Sequence, residues 1–408
     1  MTTDTLEPTL KAQEHKAVPV IGSDAEALAV AREVAIKLKE NAALRDRDRK
    51  LPHDEIELFS STGLWAITVP KEYGGAEVSN VTLAQVIAII SEADPSIGQI
   101  PQNHFCLIED IRLEGSEAQK RFFFDLVLKG TRYGNAFSEA GGKNVLDIQT
   151  RVRRDGDDYV LNGRKFYSTG TIFAHWIPVL ALDEQDQAVL VFVKQGAQGL
   201  TVVDDWSGFG QRTTASGTVI AENVRVSPFE IFHTQRSYDR PTLAGPFAQI
   251  TTAAIDLGIA RAALQDTIEF VQQHARPWID SGVERASQDP LTVAQIGDIV
   301  WRVHAAEALL ERSGRFVDIA KRDPNEETVA QAAIAVGEAK IATTEVSLLA
   351  ASKLFELGGS KSTLAKYNFD RHWRNARVHT LHDPVRWKYH AIGNYYLNDI
   401  KPARHSWN

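Results

Sequence analysis

Beyond Pro246 three long stretches repeat apolar side chains every three or four residues. Leu257, Leu264, Ile268 and Val271 mark the first, Val293, Ile296, Val300, Val303 and Leu310 the second, and Val329, Ala332, Val336, Ala339, Val346 and Ala350 the third. Each stripe lies on one face of a helix of about 25 to 30 residues and has to be buried against another such face. The spacing therefore predicts a helical bundle over 241–408, a four-helix bundle once the terminal segment joins it. Gly358-Gly359 closes the third stripe as a left-handed cap would.

The period changes upstream. Between 134 and 240 short runs such as H-W-I-P-V-L-A-L-D and A-V-L-V-F-V-K read as strands, and Asp155-Gly156 and Asn162-Gly163 read as tight turns of consecutive hairpins. This predicts an antiparallel β-barrel or sandwich. Residues 23–133 read as helices at 24–45, 53–63, 80–93 and through 97–128, opened by the capping pattern S-D-A-E at Ser23. Residues 1–22, broken by Pro8 and Pro19, read as a mobile arm. The fold class is α+β, with helices, a β domain, then a bundle.

Composition narrows the function. With 45 Lys and Arg against 53 Asp and Glu, the net charge of −8 argues against a nucleic-acid partner. No run of about 18 apolar residues and no signal-like N-terminus occurs, so no membrane segment and a cytoplasmic location are expected. The single Cys106 cannot make an internal disulfide or a zinc site, and no metal is expected.

Four segments, Y-V-L-N-G-R-K-F-Y-S-T-G (159–170), E-N-V-R-V (222–226), D-L-G-I-A-R-A-A-L (256–264) and R-H-W-R-N-A-R-V (371–378), resemble, in order, those of the acyl-CoA dehydrogenase superfamily. The resemblance implies a flavin between the domains and a homotetramer. It places the flavin's polar edge against Asn135 and Ser138 in the loop entering the β domain, and against Tyr167, Ser168 and Thr169 after the N-G dipeptide. A dehydrogenase of this family also needs a carboxylate base. Where Y-E-G-T is usual, this chain has Leu381-His382-Asp383-Pro384, and at the other known base position it has Phe247-Ala248-Gln249. Asp383 is one methylene short, with a stiff proline behind it.

These departures resemble the flavin-monooxygenase branch that includes dibenzothiophene monooxygenase and the sulfur-acquisition oxidoreductases. The expected reaction uses reduced FMN, delivered by a separate NAD(P)H:flavin reductase, and dioxygen. A C4a-peroxyflavin would form and one oxygen atom would pass to a small apolar organosulfur compound. His104, His382, Asn135 and Ser168 are the expected catalytic donors. The FAD-gripping R-x-x-F-G of the dehydrogenases is absent, which favours FMN over FAD and points to Arg276, Gly359, Lys361 and Ser362 for its phosphate. Tyr133, Phe173, Trp206 and Phe209 are the expected substrate wall. Arg371, Arg374 and Arg377 read as helix anchors, Lys388 and Arg386 as a solvated face, and His372, His379 and His390 as structural. Two alternatives stay open: an FAD-dependent acyl-CoA dehydrogenase using Asp383 as base, and a non-catalytic flavin-binding scaffold.

Overall fold

Ser23 sits in extended backbone and its hydroxyl accepts the Glu26 N–H, so the first helix starts where the capping pattern places it. The computed structural model describes residues 18–408. The N-terminal helices are α1 (Asp24–Lys39), α2 (Ala42–Asp48), α3 (His53–Ser60), α4 (Asn80–Ala93), α5 (Pro95–Glu114) and α6 (Glu117–Leu128). The expected helix 24–45 breaks in two at Glu40-Asn41. Of the expected arm, residues 1–17 lie outside the described residues. Ile21 is buried, and the Pro19 carbonyl stands where a Cβ on Gly63 would fall.

Arg45 ties α2 to the start of α5. Its guanidinium reaches Asp94 at 2.9 and 3.1 Å, while the same carboxylate caps α5 by accepting the Ser96 and Ile97 N–H groups. Pro95 at the first helical position costs no hydrogen bond there.

The strands are β1 (Arg151–Asp155), β2 (Asp158–Lys165), β3 (Trp176–Leu182), β4 (Ala188–Lys194), β5 (Leu200–Val203), β6 (Thr218–Val226) and β7 (Ile231–Phe232). They form one mixed sheet in the order β5-β6-β2-β1-β3-β4-β7, antiparallel except where β1 meets β3. Along β4, Val189, Val191 and Val193 join the core of the β domain, while Leu190 and Phe192 face the helical side. There Phe123 of α6 packs against Phe192, Trp176 and Phe232 and docks the sheet on the helices.

One expected turn is corrected. Asp155-Gly156 does reverse the chain, with Asp155 paired to Asp158, but Asn162-Gly163 lies within β2 at a register shift against β6. A Cβ on Gly163 would fall 2.2 Å from Thr150 Oγ1, so glycine here serves a bulge and a close backbone approach.

After α7 (Arg236–Asp239), the chain forms α8 (Ala244–Gln273), α9 (Pro290–Arg322) and α10 (Glu326–Gly358), then α11 (Asp370–His379) and α12 (Arg386–Asn398). The three apolar stripes become the three long helices. The first half of α8 is buried almost all round, which suits a helix at the centre. The terminal segment does not run on as one long fourth helix. It turns at 380–385, where Pro384 disfavours helical backbone in the residue before it. Among the described residues no helix is long and apolar enough to cross a membrane.

Two glycines give opposite expectations. Gly163→Ala overpacks Thr150, whose hydroxyl is already committed to Glu139, and should lose about 1–3 kcal/mol in urea unfolding. Gly297→Ala, on an exposed turn of α9 with nothing within 4 Å, should gain up to about 1 kcal/mol.

Candidate active site

The loop before β1 and the loop after β2 are stitched together. Asn135 donates its N–H to Thr171 Oγ1 at 2.8 Å, Thr171 returns its hydroxyl to the Asn135 carbonyl at 2.6 Å, and Asn135 Nδ2 reaches the Tyr167 carbonyl at 3.3 Å. The Ser138 carbonyl accepts the Phe166 N–H. Tyr167 holds φ +58°, a conformation uncommon for an aromatic residue, and its half-exposed ring lies beside Phe166 and Trp206.

Two oxygens in this loop pair are left over. Asn135 Oδ1 and Ser168 Oγ are buried without a hydrogen-bond partner, although buried polar atoms are almost always paired. An acceptor and a hydroxyl beside an aromatic shelf fit the polar edge and flat ring of the flavin implied by the resemblance.

The loop rests on α5. A Cβ on Gly170 would fall 2.8 Å from Ile100, next to Gln99. Gln99 Nε2 lies 3.0 Å from His382 Nε2, so α5 joins the loop of Asn135 and Ser168 to the turn after α11. His382 Nδ1 is 2.7 Å from the His379 carbonyl, which only accepts, so the proton of the neutral ring sits on Nδ1. Burial, then the neighbouring His379, lowers the His382 pKa to about 4. His379 Nδ1 is held by Asp256 of α8 at 2.5 Å, and the same carboxylate takes Lys340 of α10 at 2.9 Å. All three side chains are fully buried. Burial pushes Asp256 up, but Lys340 and His379 outweigh it and hold the carboxyl well below the usual carboxylate range.

His104 is corrected. It is fully buried, its Nε2 donating to the Trp65 carbonyl at 2.9 Å and its Nδ1 accepting the Tyr133 N–H at 3.0 Å. Both nitrogens are spent on the backbone, and burial lowers its pKa to about 3. It fixes the fold behind the site.

Asp383 is buried with its Oδ2 3.6 Å from Lys388 Nζ. Lys388 is therefore no solvated residue: it also donates to the Trp407 carbonyl, and burial lowers its pKa to about 8 against the pull of Asp383. This pair borders a cavity of about 520 Å³ lined by Val145, Leu146, Trp387 and Trp407 among others, with His382 at its edge. At the second base position Gln249 donates to the Ser406 carbonyl at 3.1 Å. The second position therefore holds no carboxylate, and at the first Asp383 keeps one buried oxygen, Oδ1, without a hydrogen-bond partner while the other faces Lys388.

Other candidates divide. Thr169 spends its hydroxyl on Ser216 at 2.8 Å and its N–H on the Tyr167 carbonyl, and so braces the loop from within. Tyr133 gives its hydroxyl to the Phe123 carbonyl, and Phe173 packs edge-on against His53; both belong to the core. Phe209 stacks on Trp373 at 6.0 Å, leaving Trp206 as the one wall candidate beside the flavin loop. Arg276, Gly359 and Lys361 are exposed, and Ser362 bonds the Gly359 carbonyl. They lie past Phe270, against which Gly358 packs, fourteen residues along α8 from Asp256, about 21 Å at 1.5 Å per residue. Arg371 and Arg374 do anchor α11, on Asp266 and Asp46, and His372 also holds Asp266.

Gln99, Asp256 and Lys340 escaped the sequence reading. The signal for the last two was a charged residue set inside each of two apolar stripes.

The chain matches the acyl-CoA dehydrogenase N-terminal domain over residues 25–131, the middle domain over 136–224 and the C-terminal domain over 250–387. It is 31% identical to a dibenzothiophene monooxygenase of Rhodococcus erythropolis, over 97% of this chain and 98% of that one. It is 30% identical to a probable FMNH2-dependent monooxygenase, SfnC, of Pseudomonas putida, over 92% and 96%. The crystal structure of FMN-bound TdsC from Paenibacillus sp. A11-2 superposes with a TM-score of 0.89 at 30% identity, covering 94% of this chain and all of that one.

Four histidines are lowered by burial, and the two with the largest depressions, His382 and His104, give a pH window. An unfolded histidine takes up its proton near pH 6.5, whereas His382 does so near 4 and His104 near 3, so between these values the unfolded chain binds more protons. Their contribution is complete above roughly pH 6.5 and is lost as pH falls toward 4. Urea midpoints measured across this window should decline, and decline less steeply in His382→Asn. His104→Ala should lose about 2–4 kcal/mol at neutral pH through its two broken backbone bonds and the space left.

Proposed function

This chain belongs to the flavin-monooxygenase branch of the acyl-CoA dehydrogenase superfamily, and from that premise we propose that it transfers one oxygen atom from dioxygen to a small apolar organosulfur compound. The cofactor is FMN, taken up reduced from a separate flavin reductase. Reduced FMN, when bound, supplies the electrons that activate dioxygen. The chain's own residues supply position and protection.

Asn135 Oδ1 and Ser168 Oγ receive the polar edge of the flavin, and Phe166, Tyr167 and Trp206 cover its ring. His382 brings a neutral imidazole to the residue just before Asp383, which stands where a dehydrogenase carries its base. Burial keeps water from the activated oxygen, which is the condition for transfer to substrate in place of loss as hydrogen peroxide. The largely apolar cavity beside His382 suits a compact sulfur compound.

The observation that carries this reading is the pairing of Asp383 with Lys388. A carboxylate already one methylene short, with one oxygen 3.6 Å from a buried ammonium, is a poor base for the α-proton of a thioester. This favours oxygen transfer over the FAD-dependent dehydrogenase alternative. A homotetramer in the cytoplasm completes the proposal, because Arg276, Gly359 and Lys361 then grip the FMN phosphate of a neighbouring copy.

The test supplies reduced FMN and oxygen together with thiophenes, sulfides or sulfones, and measures oxygenated product against hydrogen peroxide. Ser168→Ala should cost on the order of 100-fold in product, whereas Asp383→Asn should leave product formation largely intact. Dehydrogenation of an acyl-CoA that vanishes in Asp383→Asn, with no oxygenated product from the wild type, would overturn the reading.

A further inference from the structure

Gln99 touches the active-site turn through one end of its amide and nothing through the other. Its Nε2 faces His382 Nε2 at 3.0 Å, and its Oε1 is buried without a partner in a side chain that is 3% exposed. The His379 carbonyl keeps a proton on His382 Nδ1, so the neutral ring can only accept at Nε2, and only the NH2 of Gln99 satisfies it. Once Nε2 takes up a proton from solvent, both ring nitrogens donate, and an NH2 facing the ring meets a like donor. Rotation of the amide by half a turn then brings Oε1 to the imidazolium and sends the NH2 outward.

We propose that Gln99 is a positioning residue whose amide orientation is set by the protonation of His382. It presents an acceptor to the bound reactants while the imidazole is neutral and a pair of N–H donors when the imidazole is charged. The proposal rests on the reading that His382 faces the reacting oxygen. Its consequence is timing. The carbonyl receives an O–H or N–H of the reactants before transfer, and the NH2 meets negative charge as it develops on the departing oxygen, which preorganised donors stabilise.

Glutamine serves both states without a change of charge. An ionised glutamate accepts only and demands the imidazolium, and a leucine satisfies neither. The groups around His382 set how readily the amide turns. On its own turn lie His379, with ring centroids 4.7 Å apart, and Asp383; from α8 and α10 come Asp256 and Lys340; from α12 and the tail come Lys388 and His405. Burial, then His379 and Lys340, favours the neutral ring, and Asp256 opposes them.

The test follows His382 directly. Flavin-free protein labelled with 15N-histidine is titrated by NMR, the His382 signal being assigned by its loss in His382→Asn, and the pH profile of product formation with reduced FMN and oxygen is recorded alongside. Gln99→Glu should raise the His382 titration by at least about one pH unit and move the acid limb of the profile with it. Gln99→Leu should shift product to hydrogen peroxide by about tenfold or more. An unmoved His382 titration in Gln99→Glu overturns the coupling. A moved titration with an unmoved profile overturns its part in the reaction and leaves the oxygenase reading standing. If the wild type forms no oxygenated product, that reading fails, and the NMR titration by itself decides the coupling.

Discussion

A fully buried carboxylate in the middle of the central helix organises the site. Asp256 holds Lys340 of α10 with one oxygen and His379 with the other, and all three side chains are fully buried. Such a group is costly to bury, and removing one partner of a buried pair typically loses about 3–5 kcal/mol, so its worth lies in fixing one arrangement more than in added stability. It pins the turn after α11 to two long helices at once. His382 follows three residues later with its proton fixed by the His379 carbonyl, and through Gln99 it sets where α5 stands.

The rest of the chemistry follows from what that anchor leaves free. The turn sets a neutral imidazole and a lysine-paired Asp383 side by side on one cavity. The stitched loops of Asn135 and Tyr167 add two unpaired buried oxygens and an aromatic residue at positive φ. A site with hydrogen-bonding oxygens, a neutral ring and a largely apolar cavity is suited to sheltering activated oxygen. One meant to draw a proton from carbon would need an unencumbered carboxylate.

Much of this was legible in the chain itself. The apolar stripes become α8, α9 and α10, and Asn135 and Ser168 meet in the loop pair that the family resemblance indicated. Asn162-Gly163 misled because the dipeptide that makes a tight turn also makes a bulge, and only the Thr150 side chain across the sheet decides between them. His104 misled because nothing local tells that two backbone groups, from Trp65 and Tyr133, will consume both its nitrogens. Arg276 and the loop 358–362 read as one grip because they do share an end of the bundle, at the end of α8 away from Asp256. Lys388 read as surface on residue type alone, and its partner, Asp383, stands five residues earlier.

Isotope tracing of a single turnover tests the central claim most directly. The protein, loaded with reduced FMN, is mixed with 18O-labelled dioxygen and an organosulfur compound, and the product is weighed by mass spectrometry. One labelled oxygen atom in the product, the other passing to water, is the expected result. An unlabelled product, or electrons entering the flavin from a coenzyme A thioester with no oxygen transferred, would contradict a pocket built around a neutral imidazole instead of a free carboxylate.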